Sequence, residues 1–299
     1  MALVRNTEQI DRIAEKLVEA EQIKGRSLWQ DAAARFVRNK AAVGAMIRLG
    51  RLVHDGVLDG AEVRRRVACV NQRWDNQVAV LLGDFLYTRA FGLSLTLKSR
   101  YCSRVLADTS RKICIGEIEQ SVLRYHFDMD QADYERIAGA KTACLISAAC
   151  ELGARYPEAG FSAERDRYGD EMAAFGWEVG LAFQVVDDCL DLEGDAERVG
   201  KSVGIDAEDG KVTLPILCAY WDADEATRDA IRDVYMQPDL DQRGVRLHEV
   251  CDVLRGVEFA MARARELVEK AKARVMALPA SAARDALLGI GDYVLERKW

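Results

Sequence analysis

Between Phe183 and Asp195 the chain reads F-Q-V-V-D-D-C-L-D-L-E-G-D, and from Gly200 to Pro215 it reads G-K-S-V-G-I-D-A-E-D-G-K-V-T-L-P. The residues before Asp187 (Val179, Leu181, Ala182, Phe183, Val185 and Val186) form an apolar run of helical length, interrupted only by Gly180. A helix here would place Gln184, Asp187 and Asp191 on one face at i, i+3 and i+7, with Asp188 at its edge. Such carboxylates are oxygen-only ligands for a hard cation such as Mg²⁺, which keeps several waters and bridges to phosphate. Lys201 and Lys211 follow, each directly after a glycine, and a lysine ammonium serves as a point charge for phosphate. Acids for a metal beside cations for phosphate are the parts of a diphosphate site.

A second acidic pair lies upstream in L-V-H-D-G-V-L-D-G-A-E-V-R-R-R, Leu52 to Arg66. Asp55 and Asp59 are four residues apart, so one helical face can present both. Arg64 and Arg65 follow, and arginine forks match phosphate oxygens bidentately. One acidic helix end alone fits a solvated surface equally well. The apolar run before Asp187 and the second acidic pair together favour a site.

Five segments carry a resemblance: H-D-G-V-L-D (His54–Asp59), V-A-V-L-L-G-D-F-L (Val78–Leu86), G-E-I-E-Q (Gly116–Gln120), K-T-A-C-L (Lys141–Leu145) and F-Q-V-V-D-D-C-L-D (Phe183–Asp191). In this order they resemble the trans-prenyl (polyprenyl) diphosphate synthase family over nearly the whole chain. The resemblance implies an all-α, single-domain bundle spanning residues 1–299, of the isoprenoid synthase type, with more than ten helices. The two acidic helices should face each other across a central cavity, and two copies should pack as a homodimer through helices near the first motif. The implied reaction ionises an allylic prenyl diphosphate and adds isopentenyl diphosphate to the cation, with three Mg²⁺ ions stabilising the departing diphosphate. By the same resemblance, Asp55, Asp59 and Asp187 ligate metal, and Asp188 and Asp191 complete the second motif. Arg64, Lys141, Thr142, Gln184 and Lys201 hold the allylic diphosphate.

The chain also departs from the family pattern. Gly56 stands where the first motif has its middle acid. The segment that should hold isopentenyl diphosphate reads Gly25-Arg26-Ser27-Leu28-Trp29, and Arg48 stands where relatives carry a neutral His or Gln. Arg26, Arg48 and Arg65 are candidates for a rebuilt cationic pocket. Gly50 and Arg51 occupy the positions that set product length in relatives; there Gly50 would open the tunnel. Arg51 would set a charge against the isoprenoid unless it turns outward or pairs, most simply with Asp55 one turn on. An intact allylic half beside an altered second site leaves two alternatives to elongation. One is a terpene synthase or cyclase using the allylic diphosphate alone; the other is a weakly active partner subunit of a complete synthase.

Composition narrows the class. The chain has 299 residues, 49% of them hydrophobic, and only 4 prolines, enough for one large core with no linker. Repeated i, i+3, i+4, i+7 spacing argues helices, the clearest over Val253–Met276, with breaks near Gly160, Pro238 and Pro279. A net charge of −7 and a pI of 5.3 argue against nucleic acid as a partner. The sequence is expected to hold no transmembrane segment and no signal peptide. Its 8 cysteines show no C-x-x-C pairing and are expected to be reduced core residues of a cytoplasmic protein.

Overall fold

The structure, a computed structural model, describes residues 40–58, 63–64, 67–97, 100–155, 163–193, 204–237 and 242–297. Within these, the side chains of residues 40–48, 63, 64, 67 and 163–166 lie outside the description.

The helical periodicity is realised along the chain as α1 (Lys40–Leu58), α2 (Val70–Arg73), α3 (Asn76–Leu95), α4 (Tyr101–Val122), α5 (Gln131–Ala138), α6 (Cys144–Arg155) and α7 (Ala163–Glu193). There follow α8 (Ile205–Glu208), α9 (Leu214–Asp222), α10 (Glu225–Met236), α11 (Arg243–Val250), α12 (Val253–Met276) and α13 (Ala282–Glu296). One π-helical turn, Gly139–Ala143, joins α5 to α6. The only strands among the described residues are β1 (Val63–Arg64) and β2 (Val67–Ala68), a small antiparallel hairpin that pairs Val63 with Ala68. The architecture is otherwise all-helical.

Starts and stops follow local chemistry. Asp75, Asp224, Asp252 and Ser281 each accept a backbone N–H from the first turn of the following helix, and Asp130 with Asp133 forms a reciprocal capping box on α5. The α12 periodicity becomes a buried stripe of Val253, Val257, Ala260, Ala264, Leu267, Val268, Ala271 and Val275. That stripe packs on α7, whose Val179, Ala182, Val185, Val186, Cys189 and Leu192 are nearly inaccessible. Each such Val or Leu contributes ~1.5–3 kcal/mol relative to exposure. The helix bearing the second acidic motif is therefore held along most of its length by apolar packing.

Two glycines bring helices close around the π turn. A Cβ on Gly116 of α4 would stand 2.8 Å from the Lys141 nitrogen, and one on Gly180 of α7 would stand 2.6 Å from Ala143 Cα. Any side chain at either position would push its helix away from the turn.

Two helical stretches, Asn76–Leu95 and Gln131–Arg155, are long and apolar enough to cross a membrane by length and composition, contrary to the expectation of none. The second is broken by the π turn with Lys141 and packs against α4 and α7. The first packs on α1, where His54 stacks on Tyr87 at 5.8 Å.

Candidate active site

The π turn presents Lys141 and Thr142 in opposite directions. Lys141 Nζ donates to Gln120 Oε1 (2.7 Å) and lies 3.2 Å from Glu117 Oε2, both on α4. Thr142 Oγ1 donates to Gln184 Oε1 on α7 (2.7 Å). The extra backbone residue of a π turn re-aims consecutive side chains, and such turns recur at functional sites.

On α7 the acidic motif is divided. Gln184 Nε2 donates to Asp188 Oδ1 (2.7 Å), and the Tyr134 hydroxyl from α5 donates to Asp188 Oδ2 (2.6 Å). Asp188 is 4% exposed. Burial first, and then the Asp206 carboxylate, push its carboxyl well above the usual range, while the two donors pull it back. Asp191 accepts the backbone N–H groups of Ile205 (3.3 Å) and Asp206 (3.0 Å), so it caps the short helix α8. Its carboxyl is pushed up to about 7, by burial first and then by Asp206. Asp187 instead points outward, its side chain 52% exposed, and accepts from Arg297 Nη2 at 3.0 Å. The expected shared face of Gln184, Asp187 and Asp191 is thus corrected. Gln184 serves Asp188, and Asp187 turns outward to Arg297.

At the first motif Arg51 Nε lies 3.4 Å from Asp55 Oδ2, out of hydrogen-bond alignment. This is the expected one-turn pairing. Arg51 Nη2 donates to Glu117 Oε1 (3.0 Å), and Nη1 donates to the Lys141 carbonyl. Gly50 does not open a tunnel: a Cβ there would meet Tyr87 at 3.0 Å and the Gly83 carbonyl at 3.1 Å, because α1 and α3 pack tightly at this point. Gly56 packs toward Cys69 and Asn71, where a Cβ would stand 3.3 Å from Asn71 Oδ1.

Lys211 is 8% exposed and paired with Asp206 (3.1 Å) and Asp209 (2.9 Å). Its carbonyl accepts the Tyr235 hydroxyl (3.1 Å), and the carbonyl of Gly210 before it accepts the Tyr125 N–H (2.8 Å). Gln120, Tyr134, Lys141, Gln184, Asp188 and Lys211 all line one cleft.

Asp59, Arg65, Lys201 and Arg26 lie outside the described residues, as do the side chains of Arg48 on α1 and Arg64 on β1. Glu117, Tyr134 and Arg297 were not singled out from sequence. Glu117 sat unremarked inside the quoted G-E-I-E-Q segment, three residues before Gln120. Tyr134 and Arg297 carry no local signal.

No group of three or more His, Cys, Asp or Glu among the described residues forms a ready-made metal cage. The donors nonetheless fit a hard divalent cation. Asp55 and Asp187 offer carboxylate oxygens, and each already attracts a guanidinium, Arg51 and Arg297 respectively. Mg²⁺ is commonly bound by one or two carboxylates together with substrate phosphates.

Comparison with known proteins places the chain in a family. Residues 16–250 match the family model described as polyprenyl synthetase. Heptaprenyl diphosphate synthase component 2 of Geobacillus stearothermophilus is 32% identical over 290 residues, covering 95% of this chain and 88% of that protein. Octaprenyl diphosphate synthase of Escherichia coli strain K12 is 32% identical over 257 residues, covering 86% and 78%. Among solved structures, a polyprenyl synthase from Caulobacter crescentus CB15, complexed with calcium and isoprenyl diphosphate, superimposes with a TM-score of 0.77 at 32% identity, covering 90% of this chain and 83% of that one. A decaprenyl diphosphate synthase from Rhodobacter capsulatus gives a TM-score of 0.76 at 31% identity, with the same coverage.

Proposed function

The chain belongs to the polyprenyl synthetase family and is a prenyltransferase, and from that premise we propose how its own residues carry the reaction. The observation that bears most weight is the π turn, which sets Lys141 toward α4 and Thr142 toward α7 beside both acidic helices. In this reading Asp55 and Asp187 are the carboxylates that hold Mg²⁺, three ions in all, with Asp59 completing the first motif. Asp188 and Asp191 keep α7 and α8 in place behind them. When bound, the ions neutralise charge developing on the departing diphosphate. Lys141, Thr142 and Gln184 hold diphosphate oxygens by charge-assisted and neutral hydrogen bonds, Lys211 adds positive charge from the wall of the same cleft, and Lys201 and Arg64 supply further cations for the diphosphate. Leu123, Met129 and Ile137 line the same cleft and keep water from the allylic cation. Arg26, Arg48 and Arg65 form the pocket for isopentenyl diphosphate, whose double bond attacks that cation.

The assembly follows from exposed apolar surface. Leu81 and Phe85 on α3 are 58% and 48% exposed, and Ile118 and Val122 on the adjoining α4 are 64% and 69% exposed. A second copy of this chain covers these stripes in the proposed homodimer, which light scattering would weigh directly. Relatives from Bacillus subtilis (strain 168) and Geobacillus stearothermophilus, each named heptaprenyl diphosphate synthase component 2, make a heteromer the outcome to watch if the isolated chain is inactive. Eight free thiols, with those of Cys144, Cys150, Cys218 and Cys251 pushed up to about 11 by burial, fit a cytoplasmic protein.

The test is purified protein with Mg²⁺ and C10 to C20 allylic diphosphates, with and without isopentenyl diphosphate. Longer prenyl diphosphates are expected, only when both substrates are present. Hydrocarbon or alcohol products from the allylic substrate alone would overturn the reading.

A further inference from the structure

The reading of the site as one that takes a divalent cation together with a diphosphate leaves one buried cation unexplained. Arg51, with a side chain 12% exposed, touches the first acidic motif, α4 and the π turn at once. Its three nitrogens serve three different partners: Asp55 on its own helix, Glu117 on α4 and the carbonyl of Lys141. Glu117 in turn is shared, with Oε1 on Arg51 at 3.0 Å and Oε2 on Lys141 Nζ at 3.2 Å. The four side chains therefore form an alternating chain of charges, Asp55–Arg51–Glu117–Lys141, two anions and two cations.

Charge balance along this chain has two consequences. Asp55 already has a positive neighbour, so a free divalent ion gains less there than at a bare carboxylate. Glu117 divides its attraction between Arg51 and Lys141, so the Lys141 ammonium is held in place without being fully neutralised and keeps capacity for a phosphate oxygen. We propose that Arg51 is a positioning residue that suppresses binding of the cation alone and keeps Lys141 available, so that metal and diphosphate are taken together. The proposal rests on the assignment of Lys141 and Asp55 to the diphosphate-metal site.

Inorganic pyrophosphate and Mn²⁺ are the probes, with binding measured by calorimetry and by electron paramagnetic resonance of the free ion. In Arg51→Met, Asp55 loses its counter-cation and Glu117 is left to Lys141 alone. Mn²⁺ without pyrophosphate should bind roughly tenfold more tightly, and pyrophosphate in saturating Mg²⁺ roughly tenfold more weakly. A merely structural arginine would move both affinities in the same direction or neither. Adding Glu117→Gln to Arg51→Met should restore pyrophosphate binding, because the competing carboxylate is removed from Lys141. Arg51→Lys keeps the charge but gathers its donors on one nitrogen, which cannot span the three partners that the guanidinium reaches from separate nitrogens, and should fall between wild type and Arg51→Met for pyrophosphate. It carries the test should Arg51→Met not fold. Parallel shifts, no shifts, or failure of Glu117→Gln to rescue would overturn the proposal. A wild-type protein that takes no pyrophosphate in Mg²⁺ would instead overturn the site assignment beneath it, and the proposal with it.

Discussion

Tyr134→Phe removes one oxygen atom and nothing else from the second acidic motif. The ring stays packed, 7% exposed, in the main core, while Asp188 loses the donor at 2.6 Å and keeps only Gln184 Nε2 at 2.7 Å. A hydrogen bond to a charged acceptor contributes about 1.5–3 kcal/mol, and one between neutral groups about 0.5–1.5 kcal/mol. Which figure applies depends on pH. Burial raises the Asp188 carboxyl well above its ordinary value of 3.8, and the Tyr134 hydroxyl opposes that rise by favouring the charged form. A carboxyl whose folded-state value is raised favours folding fully below its unfolded value, and that contribution is lost as pH climbs through the folded value. Without the hydroxyl the loss must be larger. In metal-free buffer, the stability difference between wild type and Tyr134→Phe should therefore be about 1 kcal/mol at the acid end, where Asp188 is protonated, and grow toward about 3 kcal/mol as rising pH ionises it. For a chain of 299 residues that is a drop in Tm of roughly 1.5–2 °C, widening to roughly 5 °C. Urea titrations at three pH values measure it. A penalty that is flat across pH, or larger at the acid end, would refute the account of Asp188 as a buried carboxyl held by two donors.

Two further outcomes follow from the division of the motif. Asp187→Asn should cost at least a hundredfold in single-turnover loss of the allylic diphosphate, whereas Asp188→Asn should act mainly through stability; equal rates would show that the metal assignment is wrong. Arg297→Gln removes an ion pair to a half-exposed carboxylate and a guanidinium standing 3.9 Å over the Phe183 ring. Because Arg297 is the counter-cation that a metal at Asp187 would have to compete with, Mn²⁺ alone should bind a few-fold more tightly in the variant, within the ~1 kcal/mol of a partly exposed pair; weaker Mn²⁺ binding would refute the competition.

What the sequence made legible was what local spacing controls. The α12 stripe is a long periodic run that buries as one face, and the Arg51–Asp55 pair is an i, i+4 relation within one helix. The division of the α7 motif shows where that logic stops. At roughly 100° per residue, Asp187 is about 60° from Gln184 in one sense and Asp188 about 40° in the other, so the helix alone assigns Gln184 to neither with force. The choice is made from outside α7. Thr142 fixes the Gln184 oxygen, which turns its amide nitrogen toward Asp188, and Tyr134 closes the other side of that carboxylate. Thr142 and Tyr134 lie 42 and 54 residues from the groups they bind, Glu117 lies 66 residues from Arg51, and Arg297 lies 110 from Asp187. No periodicity in the chain encodes those separations. They are set by the close approach of α4 and α7 to one π turn, which in turn requires glycine at positions 116 and 180. The polar residues of the motifs declare the chemistry, and small residues elsewhere decide which of them face each other. A side chain forced in at Gly180 should therefore disturb the Thr142–Gln184–Asp188 chain before it disturbs the apolar packing of α7 on α12.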